Sequence, residues 1–287
     1  MNQQVRLLAI DIDGTLLNSS QQISPETLNA LQRAHASGIH VVLVTGRRHT
    51  FAMPIARQLS IDLCLISSNG AITRTLAGET FYTEVLPAAT ARRVCQHLSD
   101  FRKYMVATFD RNEPGALALE QEHHLEATLA RWIEKNKDHI SWVTPIEDCL
   151  TSDPLQLMVC GTVAAMRPAE ALLLDGRVTR EITVLKTEYP VRDLCFLDIL
   201  DASCSKGVAV LRWAEHLGIT RNEIMAIGDN YNDIEMLELA GFPVVMGNAA
   251  DGLKTRGWPI SRSNDEHGVA LAVEAALTGN HELLATK

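Results

Sequence analysis

Residues 5–15 read Val5-Arg6-Leu7-Leu8-Ala9-Ile10-Asp11-Ile12-Asp13-Gly14-Thr15, and this stretch decides the fold. Val5 to Ile10 is nearly continuously apolar, the mark of a strand buried on both faces in a parallel sheet. Two further runs, 39–44 and 63–66, have the same character. Between the first two lies SPETLNALQRAHASG, in which Ser24 suits an N-cap, Pro25 the first helical position and Gly38 the C-terminal stop. Strand, helix and strand at this spacing make a βαβ unit.

The end of the chain repeats the pattern. Ser205 is placed to cap a helix from Lys206 to about Leu217. Met225–Ile227 and Phe242–Met246 read as strands, and Asp233–Leu239 and Val269–Leu277 as helices. The two ends are therefore expected to form one doubly wound, mostly parallel α/β sheet, with residues 1–83 and 191–287 as its halves. Residues 84–190 read differently. Helices near 88–98 and 125–135 and strands near 105–110, 155–160 and 178–184 form a more polar α+β pattern, expected as an inserted domain.

The chain has 287 residues, 46% hydrophobic and 21% charged, with a net charge of -9. That balance supports a sizeable core and argues against a nucleic-acid or anionic-membrane partner, since no basic run offsets it. The six cysteines form no C-x-x-C pair, which argues against zinc and fits a reducing cytoplasm. No secretory layout opens the chain, and no apolar run is long enough to span a bilayer.

Four short motifs fall at strand ends or helix starts, where open α/β sheets hold ligands. In Asp11-Ile12-Asp13-Gly14-Thr15, Asp11 is placed to attack phosphorus and Asp13 to exchange a proton with the leaving oxygen and then with water; an acidic turn reads equally well. Thr45-Gly46-Arg47 offers a hydroxyl and backbone N–H groups for a phosphate, or a plain strand-to-helix turn. Lys206, at a helix start, opposes the helix dipole and needs an anion nearby unless it is a solvated surface lysine. The oxygen-rich Gly228-Asp229-Asn230-Tyr231-Asn232-Asp233 suits a hard cation such as magnesium better than a simple Asx turn.

Taken together, DIDGTLL, VTGR, SSNGA, SKG and GDNYNDIEML, followed by VVMGNA, resemble the haloacid dehalogenase-like superfamily and, within it, the Cof-like phosphatases. The likeness covers both ends closely. It covers the middle only in length and coarse pattern, which resemble an α/β cap between the second and third motifs. The resemblance implies Asp11 as nucleophile and Asp13 as general acid/base, with the Asp13 backbone carbonyl on Mg2+. It implies Thr45, Gly46 and Asn232 on the phosphoryl oxygens and Lys206 neutralising charge between Asp11 and phosphate. Asp229 would ligate the metal beside Asp11 and Asp13, with Asp233 and Asn69 in support. An aspartate at position 13 separates this chain from the superfamily's dehalogenases, which lack a carboxylate there, and its transport ATPases, which carry threonine.

The expected substrates are small phosphorylated metabolites: sugar phosphates, or cofactors such as flavin mononucleotide or pyridoxal phosphate. A phosphomutase or phosphotransferase, or a non-catalytic binding protein, are the alternatives. Monomers and homodimers both fit. Arg111, Asn112, His123 and His124 are candidates for contact with the leaving group, while Tyr104, Trp132, Trp142 and Tyr189 read as core of the inserted domain.

Overall fold

The computed structural model describes residues 4–112, 114–120, 127–189 and 192–284. His123 and His124 lie outside them. The chain opens with β1 (Leu7–Asp11), α1 (Pro25–Ala36), β2 (His40–Val44), α2 (His49–Gln58), β3 (Cys64–Ser67), β4 (Ile72–Thr75) and β5 (Thr80–Thr83). Then come α3 (Ala88–His97), β6 (Met105–Thr108), β7 (Leu117–Glu120), α4 (Ala127–Asn136), β8 (Ile140–Val143), β9 (Gln156–Gly161), α5 (Val163–Leu173), β10 (Ile182–Tyr189) and β11 (Leu194–Asp201). It closes with α6 (Lys206–His216), β12 (Ile224–Gly228), α7 (Ile234–Leu239), β13 (Phe242–Val245), α8 (Asp251–Lys254) and α9 (Gly268–Thr278).

Two compact units result: 1–83 with 205–287, and 84–204. In the first, the described residues form a sheet ordered β13-β12-β1-β2-β3-β4-β5. β1 lies between β12 and β2 and is parallel to both, with Leu7 opposite Ile224 on one side and His40 on the other. All five β1 residues are buried. Burial of Leu7, Leu8 and Ile10 is worth about 1.5–3 kcal/mol each, which fixes the strand that carries Asp11. The hairpin strands β4 and β5 run antiparallel at one edge. Ser24 caps α1 through an N–H bond from Thr27 of 3.2 Å, and Gly38, at φ +84, turns the chain into β2.

The second unit has its own core and a sheet ordered β10-β11-β9-β6-β7-β8, antiparallel except for β7 with β8. Leu86, Leu98, Leu157, Val159, Leu173 and Leu197 are among the side chains buried in it.

Several expectations need correction. The boundary expected between 190 and 191 falls on residues outside the described set. The second unit runs on to Cys204, because β11 pairs along its length with β10 and over residues 195–199 with β9. The strand expected at 178–184 is β10, from Ile182, because Val178 to Glu181 close a turn through the Glu181 N–H to Val178 carbonyl bond. Helix α2 had no sequence assignment; Pro54 lies inside it, and Arg48 at its N-cap makes no side-chain capping bond, so the usual start signals are missing. Trp142 is exposed rather than core, whereas Tyr104 and Trp132 pack against apolar clusters of the second unit.

Candidate active site

The parallel strands of the first unit end at one edge, and the motif residues leave the sheet there. Asp11 is the last residue of β1, Thr45 follows β2, Ser68 and Asn69 follow β3, and Asp229 follows β12. Lys206, the first residue of α6, is 1% exposed, and its helix is capped by Ser205 through a 3.1 Å bond from the Val208 N–H.

The Lys206 Nζ donates to Asp11 Oδ1 at 2.6 Å and to Asp233 Oδ1 at 2.7 Å. The other Asp233 oxygen accepts the backbone N–H groups of Asp229 (3.0 Å) and Asn230 (3.1 Å). Asp229 Oδ1 accepts the Thr15 hydroxyl at 2.8 Å. Its Oδ2 lies against Gly14, at φ +84, where a Cβ would overlap it. Glycine is required there twice, by the backbone conformation and by the carboxylate.

Asp11, Asp229 and Asp233 bring carboxylate oxygens within 4.8 Å of one another, all buried. The electrostatics follow from one ammonium serving three carboxylates. Burial, and then the Asp233 charge, push the Asp11 carboxyl well above its usual range, with Lys206 opposing. Burial and Asp233 likewise push Asp229 up to about 8, against the Thr15 hydrogen bond and Lys206. Burial alone would lower the Lys206 ammonium, but the Asp11 and Asp233 carboxylates outweigh it and hold the ammonium above its ordinary value. Such a site is under-neutralised. Its hard oxygen donors and surplus negative charge fit a divalent cation such as Mg2+. Asp233 is already engaged through both oxygens, so Asp11 and Asp229 are the carboxylates better placed to ligate.

The remaining expected residues divide into two groups. Asn69 stands in the left-handed region at φ +55. Its Oδ1 accepts from Asn232 Nδ2 at 3.2 Å, and its N–H donates to the Thr45 carbonyl at 2.9 Å. A Cβ on Gly46 would come 3.0 Å from the same Asn69 oxygen. Thr45, Gly46, Asn69 and Asn232 thus adjoin one another. Asp13 is different: its carboxylate is outside the trio and is gripped by Arg47, with Nε on Oδ2 at 2.6 Å and a second terminal nitrogen on Oδ1. Arg111, in the second unit, lies over the Phe109 ring at 4.5 Å.

Sequence reasoning gave no role to Thr15, Arg47 or Asn248, whose Nδ2 holds the Gly14 carbonyl at 2.8 Å. All three lie inside quoted motifs. Their partners, Asp229, Asp13 and Gly14, are 214, 34 and 234 positions away in the chain.

A family model described as haloacid dehalogenase-like hydrolase matches residues 8–273. The chain is 31% identical to the phosphatase YwpJ of Bacillus subtilis, over 93% of this chain and 98% of that protein. It is 28% identical to the pyridoxal phosphate phosphatase YbhA of Escherichia coli, over 92% and 96%. Among solved structures, a haloacid dehalogenase-like hydrolase from Bacillus subtilis superposes with a TM-score of 0.77 at 27% identity, covering 94% of this chain and 99% of that one. The match spans both halves of the sheet and the unit inserted between them. With its relatives named as phosphatases, this chain belongs to the haloacid dehalogenase-like hydrolase family and is one of its phosphatases.

Proposed function

We propose that the protein is a magnesium-dependent phosphatase that moves a phosphoryl group from a small phosphorylated metabolite to Asp11 and then to water. The observation that carries this reading is the Lys206 ammonium, buried and bonded at 2.6 Å to Asp11 inside the three-carboxylate cluster. A buried lysine there holds one Asp11 oxygen in place and offsets the repulsion between that carboxylate and an incoming phosphate dianion.

In this mechanism Asp11 attacks phosphorus. Asp13 gives a proton to the leaving oxygen and later takes one from the attacking water. Thr45, Gly46 and Asn232 hold the transferring oxygens, and Asn69 supports Thr45 and Asn232. Asp11, Asp229 and the Asp13 backbone carbonyl would hold Mg2+, which supplies charge neutralisation at the phosphoryl group. Asp233 keeps Lys206 and the 229–230 backbone in register.

The unit inserted after position 83 serves as the cap that selects the leaving group. Sugar phosphates and phosphorylated cofactors such as flavin mononucleotide or pyridoxal phosphate form the substrate class; the relative named as a pyridoxal phosphate phosphatase supports it. A cytoplasmic location is supported by six free cysteines. No helix among the described residues is long and apolar enough to cross a membrane. The protein acts as a monomer or homodimer.

The test is phosphate release from p-nitrophenyl phosphate and a panel of sugar and cofactor phosphates, with magnesium or chelator, and with Asp11→Asn as control. Release that needs magnesium and Asp11 is expected. Transfer to a second metabolite without free phosphate would identify a phosphotransferase, and binding without turnover a non-catalytic receptor.

A further inference from the structure

We propose that Arg47 is a positioning residue that holds Asp13 as the base for hydrolysis of the phospho-aspartate; the inference rests on the roles given to Asp11 and Asp13 above. The guanidinium meets Asp13 side-on. Its Nε donates to Oδ2 at 2.6 Å and a terminal nitrogen donates to Oδ1, so both carboxylate oxygens accept from one guanidinium. Two-point contact of this kind fixes orientation as well as distance.

Arg47 is itself held on three sides. Its terminal nitrogen also donates to Gln21 Oε1 at 3.0 Å, its backbone N–H donates to Thr45 Oγ1 at 3.1 Å, and its carbonyl accepts the Ser68 N–H at 2.9 Å. The fork is thereby tied to the end of β2 and to the turn after β3, the same backbone that carries Thr45 and Asn69. Asp13 stands outside the carboxylate trio, yet its charge acts on Asp229. It borders the reacting centre without being consumed by the Lys206 network.

Each Asp13 oxygen gives one lone pair to the fork and keeps another, so the contact fixes where the carboxylate points and leaves it open to a proton. With a leaving group that needs no proton, the step that depends on Asp13 is the second: the water oxygen bonds to phosphorus as the bond from phosphorus to Asp11 breaks. Asp11 regains its carboxylate, and the water proton passes to the open lone pair of an Asp13 oxygen. Asp13 then bears the proton that the next leaving oxygen takes.

The experiment is pre-steady-state turnover of p-nitrophenyl phosphate in magnesium by wild type, Arg47→Ala and Arg47→Lys. The p-nitrophenolate leaves without needing a proton, so the first step is spared. Arg47→Ala is expected to release one p-nitrophenolate per active chain in a burst. A steady rate about 10–100-fold below wild type then follows, a part of the effect a positioned base supplies. kcat falls while kcat/KM changes little, acid-quenched phospho-enzyme accumulates, Arg47→Lys falls between, and added guanidinium ion restores part of the rate. The burst counts only folded chains, so a fold defect would shrink its amplitude and leave the ratio of phases unchanged. Equal losses in kcat and kcat/KM without a burst would overturn the proposal, as would a wild-type second phase in Arg47→Ala. Asp11→Asn separates the two readings. Turnover by that variant defeats the phospho-aspartate itself, whereas an inactive Asp11→Asn beside an unaltered Arg47→Ala defeats only the role of Arg47.

Discussion

At Lys206 a single ammonium, shut off from solvent, faces Asp11, Asp233 and, through Asp233, the Asp229 loop. Removing one partner from a buried ion network costs about 3–5 kcal/mol because the others remain uncompensated. Lys206→Met is therefore expected to lower stability by that order at neutral pH and kcat by about 10²–10³-fold or more, the loss typical of one transition-state donor. The stability loss should shrink as pH falls and the raised Asp11 and Asp229 carboxyls take up protons; chemical denaturation at high and low pH checks this. Asp229 gives a second prediction. Its folded carboxyl is raised to about 8, while the unfolded one titrates near 3.8. Between these values the folded state binds the extra proton, so in chelator its contribution to stability falls as pH rises through this window. Melting temperature from pH 5 to 8.5 in chelator should fall with a shallower slope in Asp229→Asn, and magnesium should lift the upper end for wild type only. Equal slopes would contradict the assigned shift.

The turn after β3 shows how an element converts backbone conformation into a site. Ser68 and Asn69 both hold positive φ, and the loop meets Thr45, Asn232 and the Ser205 carbonyl. Asn69→Gly keeps the backbone freedom and loses the carboxamide, whereas Asn69→Ala also forces a Cβ into the left-handed region at about 1–2 kcal/mol. Both are expected to lose about tenfold in kcat/KM, and only the alanine variant to lose stability as well. Identical melting curves would mean that the conformation carries no strain. Such arrangements mark what was legible in the sequence. The buried strands β1, β2, β3 and β12 are legible because parallel strands covered on both faces are continuously apolar, and the edge strand β13 because its run is apolar too. Asp11, Asp229 and Lys206 were placed by motif position. The grip of Arg47 on Asp13 was not legible, since it depends on side-chain reach across β1 and β2. Nor was β11, in which Asp198 interrupts the apolar run although it is buried beside Gln156 at 2.9 Å.

For the whole molecule, each unit has apolar cores of its own among the described residues, so stability and chemistry need not fail together. Leu197 is fully buried in the second unit, and Leu197→Ala should cost about 2–5 kcal/mol. Magnesium should nonetheless slow hydrogen exchange at residues 11–15 and 229–233 as strongly in this variant as in wild type. Loss of that protection would show that the metal site draws on the second core. The central claim is that phosphate passes through Asp11. The most direct measurement is acid-quenched mass spectrometry of the Asp13→Asn variant after mixing with p-nitrophenyl phosphate and magnesium, since loss of the base should let the intermediate accumulate. The account expects one added phosphoryl group on the peptide bearing Asp11, absent in chelator and absent when Asp11 is also changed to Asn. Turnover with no covalent phosphate, or a phosphoryl group on another residue, would contradict it.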